Sequence, residues 1–171
     1  MNSPDKKTKL YRMGCIAFFF SGICAMSSGV IVSQLQEYYG FAYGVTGTLL
    51  SLMNIGNLVA GFASAILPSK LGTRATVLIL TSGYALGYLF MTLGNYMWLF
   101  MPAFLLLGFA KGNTINNCTV LVGNNADDRT KGMNVMHASY ACGALLGPIL
   151  IAAALITGKY SPMYALAGAG V

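Results

Sequence analysis

The chain has 171 residues, 56% of them hydrophobic and only 8% charged. A soluble domain carries about 25% charged residues, so this composition excludes an ordinary water-soluble enzyme, and its hydrophobicity excludes a disordered tail. The formal net charge of +6 comes from 10 Lys and Arg set against 4 Asp and Glu. The cations sit in short groups between apolar runs, so they carry topology information and do not form a nucleic-acid footprint.

The spacing of the charges defines the architecture. A bilayer core about 30 Å thick needs roughly 20 apolar residues of helix to cross it. Residues 13–36, 38–69, 75–110 and 132–158 are each free of Lys, Arg, Asp and Glu. The chain therefore reads as an all-α integral membrane protein.

In chain order, residues 1–12 form a basic tail, and a first span covers about 13–32. A wet stretch from Ser33 to Gly44 follows, with Glu37 and interfacial tyrosines. The second span is expected at about 45–67, ending at Pro68, with Lys70 and Arg74 in a tight turn. The run 75–110 is too long for one helix, and Gly94-Asn95 divides it into spans of about 75–93 and 97–120. After the polar loop 124–132 a fifth span is expected at about 133–156. Residues 160–171 start an incomplete sixth helix, about 18 Å long at 1.5 Å per residue, which suggests a fragment truncated within that helix. Lys and Arg are retained on the cytoplasmic side of short loops. A cytoplasmic N-terminus puts Lys6, Lys7, Lys9, Arg12, Lys70, Arg74, Arg129 and Lys131 on that side and only Lys159 opposite.

Helices in lipid associate through close approach at small residues. Gly83 and Gly87, Gly108 and Gly112, and Gly143 and Gly147 are each spaced for this in the third, fourth and fifth spans. Polar groups inside spans need partners away from lipid and so are candidates for lining a cavity or proton pathway. In the second span these are Asn54 and Asn57. In the fourth they are Lys111, Asn113 and Asn117, with Lys111 rotated about 160° from Asn113. In the fifth span Asn134, His137 and Tyr140 share a face, and His137 is the chain's one histidine, able to exchange protons near neutral pH. Cys15, Cys24, Cys118 and Cys142 have no metal-ligand spacing and read as small apolar residues. No nucleophile elbow, zinc motif or P-loop is present, and no carboxylate pair lies inside a span. Neither catalysis nor a cofactor or metal is expected, a proton or sodium coupling ion aside.

Three segments carry a family resemblance. Ala65-Ile-Leu-Pro-Ser-Lys-Leu-Gly-Thr-Arg74 is similar to the Gly-x-Leu-x-Asp-Arg-x-Gly-Arg-Arg loop between helices two and three of major facilitator superfamily transporters. Lys70, Gly72 and Arg74 match it in kind, while Ala65 and Ser69 replace its Gly and Asp. Gly108-Phe-Ala-Lys-Gly-Asn-Thr-Ile-Asn-Asn117 resembles the fourth helix of the sugar and fucose-permease-like members, with Phe104 where an Arg is common. Asn134-Val-Met-His-Ala-Ser-Tyr-Ala-Cys-Gly-Ala-Leu-Leu-Gly-Pro148 resembles the fifth helix of the same group.

The resemblance implies the N-terminal six-helix half of that fold, built of inverted three-helix repeats, with solute bound between two halves and exposed by rocking. It assigns Lys70, Gly72 and Arg74 to a conformational loop and Gly147 and Pro148 to a hinge. The expected function is ion-coupled uptake of a small polar solute, a sugar or related metabolite, at the plasma membrane. The partners are then the bilayer, the solute and a C-terminal half or second chain, and no nucleic acid. Two alternatives are a truncated non-transporting membrane protein acting as an assembly partner, and efflux of drugs or amphiphiles.

Overall fold

The computed structural model describes residues 4–93 and 97–157, so residues 160–171 lie outside the described part. Six helices form in order: α1 (Pro4–Tyr39), α2 (Tyr43–Leu71), α3 (Thr73–Thr81), α4 (Gly83–Thr92), α5 (Met97–Asn125) and α6 (Arg129–Thr157). With α3 and α4 forming one span, five segments are long and apolar enough to cross a membrane, and among the described residues there is no strand.

The first helix departs from expectation at both ends. Residues from Pro4 through the basic tail are helical, and so is most of the stretch expected as a loop after Val32. Hydropathy marks where lipid ends, whereas the helix continues until the backbone is stopped. Pro4 and Asp5 suit a first helical turn, where proline loses no bond and a carboxylate meets the positive end of the helix dipole. At the other end Gly40 adopts φ 65°. The Phe41 N–H reaches back to Gln36 O at 3.1 Å, the six-to-one bond of a Schellman cap. Phe41 then packs on Tyr39 and Phe100, which fixes the entry to α2.

The turn between α2 and α3 is a single residue, Gly72, at φ 81° and ψ 151°. Its N–H bonds Pro68 O at 3.0 Å, and its carbonyl accepts from the Thr76 N–H at 3.1 Å and the Thr76 hydroxyl at 3.0 Å. This backbone region is essentially closed to residues with a side chain, at a cost of about 1–3 kcal/mol. Gly72→Ala should therefore lower the thermal midpoint of the purified protein although no atom lies within 4 Å of the new methyl group. An unchanged midpoint would show that the turn re-forms at no cost.

The third span is not one unbroken helix. The break falls at Ser82, whose hydroxyl donates to Ile79 O at 2.7 Å and which precedes Gly83. A Ser-Gly pair of this kind loosens a helix because the hydroxyl competes for the backbone ladder. Gly83 is pressed against the Leu106 carbonyl of α5, where an added Cβ would lie 2.5 Å away.

The helix α5 packs against every other helix. The two closest pairings are α1 with α6 and α2 with α5, and glycines line both. Along α2–α5, Gly56 meets the Leu105 carbonyl, Gly108 the Met53 carbonyl and Gly112 the Asn57 carbonyl. Along α1–α6, Gly22 meets the Tyr140 carbonyl, Gly143 the Phe19 carbonyl and Gly147 the Ile23 carbonyl. The main core holds Tyr88, Phe100 and Phe104, fully buried, where α1, α4 and α5 converge. Tyr88 donates its hydroxyl to Cys24 O, and Ser21 and Tyr84 share a 2.8 Å hydrogen bond, tying α4 to α1.

Candidate solute-binding site

The polar groups of α5 leave the helix in three directions. Asn113 is completely buried and turned to α3, donating to Thr81 Oγ1 at 3.0 Å and to Val77 O at 3.4 Å. One turn on, Asn117 donates to Asn113 Oδ1 at 2.7 Å and Asn113 O at 2.9 Å. The result is a relay of amides, Asn117 to Asn113 to Thr81, that knits α5 to α3. Asn116 turns instead to α2, donating to Ser64 Oγ at 2.8 Å and Gly61 O at 3.5 Å. Sequence reasoning missed this tie. The signal available for it was the small residues Gly61 and Ser64, one turn apart, which leave room for an amide to cross.

Beside the amide relay lies a cavity of about 400 Å³ between α1, α3, α4 and α5, lined by Ser21, Cys24, Thr81, Tyr84, Thr114 and Asn117 among others. Its polar groups already have partners inside the bundle. Ser21 pairs with Tyr84, Thr114 donates to Ala110 O at 2.8 Å, Thr81 accepts from Asn113, and Asn117 donates to Asn113. A group whose donors are spent on its own bundle has less to offer a solute. Of the two α5 amides expected to line a cavity, Asn117 lines this one, and Asn113 is bonded to Thr81 and Val77 instead.

Lys111 takes the third direction. On the helical wheel it stands about 40° from Ile115 and 60° from Gly108, on the far side of α5 from Asn113. Ile115 packs on the cluster of Phe18, Cys118, Val122 and Met136 at the α1–α6 side, and Gly108 touches α2. Ile115 and Gly108 both lie on one side of Lys111, which is half-buried and does not line the 400 Å³ cavity.

The remaining expected site residues are not gathered with it. Asn54 is exposed on α2, and Asn57 is half-buried with its Oδ1 against Gly112. Asn134 and His137 are exposed, whereas Tyr140 turns inward and packs on Phe18 at a ring distance of 4.8 Å. Three-residue steps fall short of the 3.6-residue turn, so the trio winds by about 60° per step, leaving Asn134 outside while its later members turn to α1. His137 also touches the Phe18 ring, edge to face at 5.7 Å. Cys24 and Cys118 are buried, Cys15 is half-buried and Cys142 is exposed, all as free thiols.

Among the expected conformational residues, Lys70 and Arg74 are exposed on either side of Gly72. Pro148 lies within α6, where it removes one backbone bond. Gly147 beside it is clamped on α1, with an added Cβ placed 2.6 Å from Ile23 O and 2.7 Å from Ser27 Oγ. That Ser27 hydroxyl is completely buried and makes no hydrogen bond within the described residues.

A bundle of five membrane-length helices knit by glycine crossings defines an integral membrane protein. The sequence matches the Major Facilitator Superfamily over residues 14–171, and the chain belongs to that family. It is similar to a gallate transporter of Pseudomonas putida, 24% identical over 135 residues, covering 78% of this chain. The chain spans only 30% of that relative's length. No solved structure matches it significantly. The family points to transport of a small solute and not to an enzyme.

Proposed function

We propose that this chain forms one half of a secondary active transporter that takes up a small hydroxylated solute by alternating access. The observation that carries this reading is the relation between its two closest crossings. An inverted repeat that maps span one onto span four and span two onto span five must map the crossing of spans one and five onto that of spans four and two. The α1–α6 and α2–α5 pairs are those two crossings, and both bring glycine against a backbone carbonyl.

In this reading the basic end, with Arg12, Lys70, Arg74, Arg129 and Lys131, faces the cytoplasm at a plasma membrane, which the retention of Lys and Arg on the inner side supports. In this reading a second half, in this chain or another, completes the solute path beside Lys111. A sugar or a related polyhydroxylated metabolite suits an interior of amides and hydroxyls without carboxylates. The fucose-permease-like motifs and the gallate transporter relative both support hydroxyl-rich solutes. Exposed His137 is the candidate proton carrier, with sodium the alternative coupling ion, and the Gly147-Pro148 joint lets α6 bend as the halves rock.

The test is uptake of labelled hexoses and of gallate into proteoliposomes under an imposed proton or sodium gradient, beside efflux of a lipophilic dye. Gradient-driven accumulation of a hydroxylated solute is the expected result. Pro148→Ala, which restores the missing backbone bond, should slow that uptake at least several-fold while leaving the protein folded. Dye efflux without uptake of any hydroxylated solute would replace this reading with export.

A further inference from the structure

We propose that the transported solute is a hydroxylated monocarboxylate and that Lys111 is its counter-charge. This rests on the transport reading above and adds the sign and number of charges on the solute. The argument starts from position. Lys111 is the central residue of α5, with 14 residues of helix on each side, so each helix end is about 21 Å away at 1.5 Å per residue. A four-carbon stem does not bridge that distance, which removes snorkelling to the interface as the way its ammonium is solvated.

The second step is the absence of an internal partner. The chain's four acidic residues are Asp5, Glu37, Asp127 and Asp128, and all lie near helix ends or in a loop. Among the described residues the one salt bridge joins Lys131 and Asp128 at 3.9 Å, on the exposed end of the bundle. The amides nearest in sequence do not compensate either. Asn113 points to α3, Asn116 to α2, and Asn117 back to Asn113. An intramembrane cation is retained where it meets an opposite charge or a water-filled path, and Lys111 lies about 160° around α5 from Asn113, the residue bonded to α3.

The third step concerns valence. Between Arg74 and Arg129 the chain carries no other Lys or Arg than Lys111. A phosphate ester, with a charge near −2 at neutral pH, would be left half-neutralised by this helix. A carboxylate is matched one to one. A neutral sugar would bind beside an ammonium that it does not neutralise.

The test uses pairs of probes that differ in charge and little else, namely gallate with methyl gallate and glucuronate with glucose, offered to proteoliposomes of the natural full-length protein. The expected result is that each carboxylate is taken up at least tenfold faster than its neutral partner. Lys111→Met keeps the apolar stem and lacks the costly charge, so it should insert at least as well, yet it should lose that uptake tenfold or more. Lys111→Arg should retain most of it, and Lys9→Met, on the exposed start of α1, should match the wild type. Size-exclusion profiles of the variants confirm folding before uptake is compared. Equal uptake of neutral and charged partners, or carboxylate uptake unchanged in Lys111→Met, overturns the anion assignment and leaves the transport reading in place. Uptake of none of the four probes overturns both.

Discussion

Gly108→Ala is expected to unfold the bundle at a markedly lower temperature than the wild type, whereas Gly29→Ala is expected to change it little. Both substitutions add one methyl group to the middle of a long helix. At Gly108 that methyl would occupy the place of the Met53 carbonyl, with the Asn57 amide nitrogen 2.9 Å away. Neither neighbour is a flexible side-chain tip, so α2 and α5 must separate along their whole seam. At Gly29 nothing lies within 4 Å, and alanine is the better helix former by up to about 1 kcal/mol. Overpacking costs about 1–3 kcal/mol. In lipid the loss is felt directly because packing, and not burial from water, holds the helices together. For a chain of this size each kcal/mol moves the midpoint by about 2–4 °C, so a fall of roughly 2–12 °C is predicted for Gly108→Ala. Thermal unfolding in detergent, followed by the monodisperse fraction, measures it. Equal midpoints for the two variants would show that the α2–α5 seam is not the close contact described.

The second large effect is expected at Asn113. Its amide is fully buried and makes three side-chain bonds, two donated to α3 and one accepted from Asn117. Asn113→Ala takes the Oδ1 acceptor from Asn117, which keeps its bond to the Asn113 backbone carbonyl, and leaves the Thr81 hydroxyl facing a void without its amide donor. The penalty for an unsatisfied buried group is about 1–3 kcal/mol. Hydrogen bonds between membrane helices average about 0.6 and reach about 1.7 kcal/mol by double-mutant cycles. A cycle of Asn113→Ala with Thr81→Ala should therefore give a coupling energy in that lower range. Because these groups bond one another, solute affinity in Asn113→Ala should stay within about twofold of the wild type once the folded fraction is matched. The opposite pattern, unchanged stability with affinity reduced tenfold, would move Asn113 from the scaffold into the solute site.

Much of this architecture is legible in the residues, and the illegible part has definite causes. Long runs without charge mark most of the spans because a charge inside a bilayer is costly, Lys111 being the exception, and glycine pairs mark the seams because a missing side chain lets backbones touch. The length of α1 is not legible that way. Its ends lie outside the apolar run and are decided by Pro4 and by the left-handed Gly40, which hydropathy does not weigh. The bend at Ser82 also escapes, since residues 75–93 are uniformly apolar enough for one span and the break is a matter of one hydroxyl and one glycine. The helical wheel correctly separates Lys111 from Asn113. It does not say which neighbour each face meets, so Asn113 was expected in a cavity and stands instead in the bundle's own bonding. The need of Asn116 for a partner is legible in the same way, but its partners Gly61 and Ser64 are not, being small residues on a distant segment.

Cysteine accessibility at positions 111 and 113 of α5 tests most directly the claim that this helix presents one face to a solute path and another to its own bundle. In a background with the four native cysteines replaced, Lys111→Cys and Asn113→Cys would each be exposed to a charged, membrane-impermeant methanethiosulfonate in intact proteoliposomes. The account predicts rapid labelling at position 111, slowed when the transported solute is present, and none at position 113. Labelling at 113 with silence at 111 would contradict it.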